Sequence, residues 1–456
     1  MTVFASIDPA TGERIAEFPA HSSSEVDGRL ALAARAFSTW RDVAVANRAA
    51  TVGRLGDLLL RDQERLAHLL TAEMGKPIVQ ARAEIAKCAL GCAHYAQHAE
   101  EMLRPREVRT EAARSYVRFD PSGAVLAIMP WNFPFWQVIR MLAPVVAGGN
   151  VLLLKSAPST MGTGEAIAQL AAEAGLTDGV VQTLRIEPDV IRDVIADDRV
   201  QGVSFTGSTG GGRAVAAVAG AHGKRTVLEL GGSDPFVVLE DADVERAAQS
   251  AVASRLINGG QSCVSAKRFV VMRSVADEFI GKMEAGIRAA VVGDPLQETT
   301  TIGPMARDDL RHQLADQVER SVGAGARLIV PGGLKDGPGF FYAPAMLTGV
   351  DRSHAVGDEE TFGPVAAVLV ADDEEDALRI ANDTEYGLGG AVWTSDLDRG
   401  GRFIRRLDAG SISINDMVKS DPRLPFGGVK ASGYGRELAT EGIREFMNIK
   451  SVWANA

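Results

Sequence analysis

Cys263 closes the segment Asn258-Gly-Gly-Gln-Ser-Cys263, and Glu229 sits in Leu228-Glu229-Leu-Gly-Gly232. A thiol and a carboxylate, each beside paired glycines, are the parts of covalent catalysis: a nucleophile, and a base able to activate water. The glycines let the main chain approach a ligand closely, leaving the sulfur reachable and the cysteine N–H free to donate to an oxyanion. A cysteine standing alone would read as a small buried hydrophobe. Pro130-Trp-Asn-Phe-Pro-Phe-Trp136 adds a stiff aromatic wall with one amide, Asn132, set in it. An amide NH2 can donate to a developing oxyanion, and such a donor is worth about 3 kcal/mol in a dry site. An Asn bonding its own turn explains this segment equally well.

These residues need a scaffold, and the chain alternates helix and strand where they fall. From Ser24 to Met102 the pattern is helical, with Ser24 as the expected cap of Glu25 to Trp40. Ser115 to Phe119, Asp-Pro-Ser-Gly123 and Ala124 to Met129 read as strand, turn and strand, a hairpin able to reach a neighbour. Beyond Val138, apolar strands at Val151 to Leu154, Gly179 to Leu184 and Gly202 to Phe205 alternate with helices. That alternation predicts an α/β fold with a doubly wound parallel sheet, which binds ligands at the carboxyl ends of its strands. Phe205-Thr-Gly-Ser-Thr-Gly-Gly-Gly-Arg213 joins one such strand to a helix. Gly207 and Ser208 would bring free donors to the helix N-terminus, where a pyrophosphate is favoured. Neither a Rossmann Gly-x-Gly-x-x-Gly nor a Gly-x-x-x-x-Gly-Lys-Ser/Thr loop is present, so dinucleotide binding would use a different loop. A second α/β region begins near Asp234, and Ile449 to Trp453 is the last strand candidate, a partner for the hairpin in the same or another subunit.

Composition narrows the class. At 456 residues, with 46% hydrophobic content, two or three folded domains are expected. With 48 basic against 59 acidic residues the net charge is −11, which argues against a nucleic-acid or anionic-membrane partner. Cys88, Cys92 and Cys263 are too few and too scattered for a disulfide framework or a metal site. No apolar run reaches membrane-spanning length and the first residues lack a signal-peptide pattern, giving the expectation of a soluble cytoplasmic protein.

Asn132, Thr206-Gly-Ser208, Glu229-Leu-Gly-Gly232, Gly260-Gln-Ser-Cys263, Glu360-Thr-Phe-Gly-Pro364 and Pro425-Phe-Gly-Gly428 together closely resemble the aldehyde dehydrogenase superfamily in identity, order and spacing. The resemblance runs from Asp8-Pro-Ala-Thr-Gly12 to Phe446-Met-Asn-Ile-Lys450. It implies a dinucleotide-binding domain over 1–113 and 128–231, a catalytic domain over 232–432, and an oligomerisation arm with the C-terminal segment over 114–127 and 433–456. It further implies Cys263 as nucleophile, Asn132 and the Cys263 N–H as oxyanion donors, and Glu229 as the base that deacylates a thioester. For the cofactor it implies Trp131, Lys155, Ser159, Gly207, Ser208 and Glu360, with Phe362 packing beside the nicotinamide ribose. A homodimer or homotetramer is implied as well.

Arg140, eight residues after Asn132, resembles the pattern of bacterial succinate-semialdehyde dehydrogenases within that superfamily, as do Trp131 to Gln137, Leu228 to Phe236, Ser420 before Leu424-Pro-Phe-Gly-Gly-Val-Lys430, and Ser432-Gly-Tyr-Gly-Arg-Glu437. The resemblance then implies a carboxylate-bearing aldehyde held by Arg140 and Ser420 beside Trp136, a planar guanidinium being suited to a carboxylate. Other aliphatic or aromatic aldehydes are the alternative, and a noncatalytic binding protein on the same fold a more distant one. Three positions depart from the pattern. Ile257 stands where relatives usually carry a polar or basic residue, Arg in some and Gln in others; Lys419 and Arg423 are either its compensation or simply solvated charges. Ser265 replaces a second cysteine, which predicts no redox switch at Cys263. Pro158 replaces an acid that would exclude a 2′-phosphate, so the cofactor is expected to be NAD or NADP, with a lean to NADP.

Overall fold

The computed structural model describes residues 2–176 and 178–455. The chain opens with a hairpin, β1 (Val3–Ile7) and β2 (Arg14–Pro19), followed by four helices: α1 (Ser23–Trp40), α2 (Val45–Arg61), α3 (Gln63–Met74) and α4 (Ile78–Met102). Ser22, not Ser24, caps α1. Its hydroxyl accepts from the Glu25 N–H while the Glu25 carboxylate accepts from the Ser22 N–H, a reciprocal bond that Ser24, two residues further on and next to Glu25, does not form.

The strand–turn–strand expected at 115–129 is not a hairpin. After β3 (Arg106–Glu107), β4 (Arg114–Pro121) belongs to a small antiparallel sheet, whereas β5 (Ala124–Ile128) is the middle strand of a parallel one. The physical reason lies in their side chains: all five residues of β5 are buried, as a strand covered on both faces requires, while β4 is mostly half-exposed. Residues 124–127 therefore sit with the parallel sheet and not with the arm. That sheet continues through α5 (Trp136–Ala147), β6 (Val151–Lys155), α6 (Met161–Glu173), β7 (Val181–Thr183), α7 (Pro188–Ala196), β8 (Val200–Thr206), α8 (Thr209–Ala221) and β9 (Arg225–Glu229). Its parallel order is β9-β8-β5-β6-β7, so strand order reverses between β5 and β8.

A second sheet follows, built on β10 (Pro235–Val238), α9 (Val244–Leu256), β11 (Arg268–Met272), α10 (Ala276–Arg288) and α11 (Asp308–Gly323). It is extended by β12 (Arg327–Val330) and, past the ribbon of β13 (Gly333–Leu334) and β14 (Tyr342–Ala343), by β15 (Ala345–Thr348). After α12 (Ala355–Asp358), β16 (Val365–Ala371), α13 (Glu374–Asn382), β17 (Gly389–Trp393), α14 (Leu397–Ile404) and β18 (Ser411–Ile414) complete it, in the order β12-β15-β16-β11-β10-β17-β18. The chain then returns: β19 (Gly433–Tyr434) pairs with β9, and after α15 (Ala439–Glu445) the last strand, β20 (Met447–Ala454), pairs antiparallel with β4 from Met447↔Pro121 to Ala454↔Arg114.

Two buried carboxylates fix the helices around the first sheet. Glu73 on α3 accepts from Ser6 Oγ and from the N–H groups of Gly162 and Thr163, where α6 begins. Glu84 on α4 accepts from the N–H groups of Phe135 and Trp136, both at 3.0 Å, at the start of α5. A negative charge at a helix N-terminus satisfies orphan donors and complements the dipole. Glu84 is itself buried and paired with buried Lys76, whose ammonium also donates to the Asn132 carbonyl and lies over the Phe133 ring. Lys76→Met is expected to destabilise the fold by about 3–5 kcal/mol, because it strands a buried carboxylate. Lys76→Met with Glu84→Gln should recover part of that loss, and thermal unfolding of the two variants measures it.

Candidate active site

The site occupies the reversal point of the first sheet. The chain leaving β5 carries Trp131 and Asn132, the chain leaving β8 carries Gly207 and Ser208, and β9 ends on Glu229. Ser208 caps α8 by accepting from the Gly211 N–H at 3.2 Å, and the Gly207 N–H donates to the Glu229 carbonyl at 3.0 Å. From the second sheet comes the segment between α9 and β11. Asn258, Gly259 and Gly260 all take left-handed φ values of 55°, 61° and 73°. A Cβ at Gly260 would meet the Gly363 carbonyl oxygen at 2.3 Å, so only glycine allows this turn. Asn258 tolerates the conformation and uses its amide to donate to the carbonyls of Asn132 and Gln261.

The result is one cavity of about 530 Å³ in which Cys263 faces Glu229, Asn132, Trp131 and the Gly207-Ser208 turn. Glu360 and Phe362 line it too, with Phe362 edge-on to Trp131 at 5.7 Å between ring centres. Asn132 donates through Nδ2 to the Gln261 carbonyl at 3.1 Å, which orients the amide beside the cysteine segment. The Glu360 carboxylate accepts from the Gly232 N–H at 3.0 Å and lies 3.6 Å from the Lys267 ammonium. Lys267 is buried and also donates to the carbonyls of Ser262, Cys263 and Ser265. It joins the backbone carrying the thiol to the carboxylate across the cavity. Thr206 Oγ1 is buried without a partner beside the start of α8. Free donors at a helix N-terminus, an orphan hydroxyl and an accessible carboxylate suit the pyrophosphate and ribose of a dinucleotide. Lys155 and Ser159 do not line this cavity. Lys155 ends β6, one strand further along, is mostly buried and makes no ion pair among the described residues.

Both oxygens of the Glu229 carboxylate lack a hydrogen-bond partner. Burial and the neighbouring charge of Glu437 push it up to about 8, against the pull of Arg140 and Arg436. The Cys263 thiol is pushed up to about 12 by burial, with Arg140 and Lys267 opposing. With no ligand bound both the thiol and, below about pH 8, Glu229 hold their protons.

Arg140 is not the open fork expected from the sequence. It is buried, its Nε faces the carboxylate of Glu437, and its guanidinium lies 4.8 Å over the Phe426 ring. A buried guanidinium needs such a counter-charge. Glu437, at the end of Ser432-Gly-Tyr-Gly-Arg-Glu437, has no role among the sequence expectations, and its burial and its pairing with Arg140 come from contacts across nearly 300 residues. Ser420 accepts from the Trp136 indole N–H at 3.0 Å and from the Lys87 ammonium at 2.8 Å. Lys419 and Arg423 do not compensate for Ile257: each is solvent-exposed and pairs with its own neighbour, Asp416 or Asp421. Cys88 and Cys92 are buried in the helical core.

Because Glu229 stays protonated in the folded state up to about pH 8 while the unfolded chain ionises from about 4.5, stability falls as pH rises between those values. Glu229→Gln should therefore unfold at a higher temperature than the wild type at pH 8 and at the same temperature near pH 4. In the active enzyme, turnover limited by deacylation should rise as pH passes through about 8, and a pH–rate profile checks it.

Comparison with known proteins places this geometry. The model of the aldehyde dehydrogenase family matches residues 1–452. A protein of Synechocystis sp. named as a probable NADP(+) succinate-semialdehyde dehydrogenase is 46% identical over 449 residues, covering 98% of this chain and 99% of the relative. An Escherichia coli succinate semialdehyde dehydrogenase named for NAD(P)+ is 44% identical over 98% of this chain and 97% of its own length. Among solved structures, the Streptococcus pyogenes succinic semialdehyde dehydrogenase in complex with NADP+ superimposes with a TM-score of 0.97 at 34% identity, over 99% of this chain and 100% of that one.

Proposed function

The chain belongs to the aldehyde dehydrogenase family, and from that premise we propose that it oxidises succinate semialdehyde to succinate with NADP, or NAD, as hydride acceptor. The observation that carries the proposal is the meeting of Cys263, Glu229 and Asn132 in one cavity that also presents Glu360 and the α8 N-terminus. The substrate is supported by the names of the relatives; Trp136 bonds to Ser420 and Arg140 pairs with Glu437, and none of the three lines the cavity itself.

In this reading the Cys263 thiol gives up its proton to solvent and its sulfur adds to the aldehyde carbon. Asn132 Nδ2–H and the Cys263 N–H hold the resulting oxyanion. When bound, the nicotinamide supplies the acceptor for the hydride that leaves this carbon. Cys263 is left carrying a thioester. Glu229 then takes a proton from water, the hydroxide adds to the thioester carbonyl, and Cys263 departs as thiolate with release of the carboxylic acid. Glu360 would hold the nicotinamide ribose with Phe362 and Trp131 beside it, and Gly207 and Ser208 the pyrophosphate. Lys155 and Ser159, beside exposed Pro158, would take the adenosine ribose and its 2′-phosphate, which supports the lean to NADP.

No helix among the described residues is long and apolar enough to cross a membrane. A cytoplasmic homodimer or homotetramer belongs to the same proposal, with the sheet of β3, β4 and β20 as its arm: Ile449 and Trp453 on β20 are 55% and 62% exposed. Initial rates with NADP across succinate semialdehyde, butanal and benzaldehyde test the substrate. The expected result is a kcat/KM for succinate semialdehyde about 10-fold or more above that for butanal, the worth of one charged contact; equal values would overturn the acidic-aldehyde assignment.

A further inference from the structure

We infer that Lys87 is a specificity-determining residue, the cation that meets the distal carboxylate of an acidic aldehyde, acting with Ser420 and the Trp136 indole. The inference rests on the reading of the substrate as a carboxylate-bearing aldehyde. It begins with a charge count. Arg140 is offset by Glu437, Lys419 by Asp416 and Arg423 by Asp421, while position 257 carries an apolar side chain. Lys87 forms no ion pair among the described residues; its ammonium donates to Ser420 Oγ at 2.8 Å and lies 4.4 Å over the Trp136 ring.

The register of α4 places it there. Gln80, Glu84 and Lys87 follow at helical spacing on one face. Gln80 accepts from the Asn258 N–H in the cysteine segment, Glu84 from the N–H groups that open α5, and Lys87 reaches Ser420. The face thus runs from the thiol's own loop to the Ser420 hydroxyl. Gly91, one turn on, has no Cβ where the Trp136 ring packs, since an added Cβ would lie 3.2 Å from it. Ser420 already accepts both the ammonium and the indole N–H, so a carboxylate arriving there would be met by the Ser420 O–H and by the remaining donors of Lys87. Burial lowers the Lys87 ammonium to about 8, with Arg140 adding to the effect. An incoming anion relieves both costs, and a neutral aldehyde relieves neither.

The test compares wild type, Lys87→Met and Lys87→Arg on succinate semialdehyde and on butanal. For Lys87→Met, kcat/KM for succinate semialdehyde should fall by about 10- to 100-fold, the range of one charge-assisted hydrogen bond, mostly through KM. Its activity on butanal should stay within about 3-fold of wild type on the same scale, and Lys87→Arg should restore part of the loss. A parallel fall on both aldehydes, or no fall on either, overturns the role. Lys87→Gln serves as the second neutral variant if the methionine form does not fold. A wild type that shows no preference between the two aldehydes contradicts the substrate reading itself, whereas a preference that survives loss of the charge at Lys87 contradicts only the present inference.

Discussion

One face of α4 holds the site together. Its buried Glu84 accepts two N–H groups at the start of α5 and pairs with Lys76, which in turn donates to the Asn132 carbonyl. The same Asn132 carbonyl accepts from Asn258, and Asn258 is held by Gln80 from α4. The oxyanion amide and the thiol's segment, although they come from opposite sheets, are thus referenced to a single helix. Catalysis by oriented donors depends on this kind of preorganisation, because a donor misplaced by an ångström loses most of its effect.

The same burial that fixes the geometry makes the site electrostatically costly. Glu229 and Glu437 are buried carboxylates raised above their usual range, and Cys263 is raised as well. Arg140 stands between these groups as the shared counter-charge. It lowers both carboxylates and the thiol, which explains why its guanidinium is committed to the protein. Unpartnered Glu229 oxygens are the sign of a group kept reactive at the expense of stability.

That Cys263, Glu229 and Asn132 belong together was legible in the sequence because each lies in a short run whose glycines or aromatics have no simple packing explanation. Cys263, Glu229 and Asn132 do share a cavity. The parallel sheet was legible from apolar strands alternating with helices. Less legible were features set by contacts across long separations. The run at 115–129 reads locally as a hairpin, yet β5 pairs with β6 and β8 while β4 pairs with β20, more than 300 residues away. Ser22 outcompetes Ser24 as a cap only through the reach of Glu25. Lys76, Glu84, Lys87 and Glu437 look like ordinary solvated charges in sequence, and only their partners reveal them as buried or functional.

The central claim is that Cys263 carries the acyl group and Glu229 releases it. Mixing Glu229→Gln with succinate semialdehyde and NADP tests it most directly, with NADPH followed by absorbance and the protein by intact mass and peptide mapping. The account predicts one equivalent of NADPH in a burst, then a stall, with a single succinyl group on the peptide containing Cys263. Continued turnover at the wild-type rate, or an acyl group found anywhere but Cys263, would contradict it.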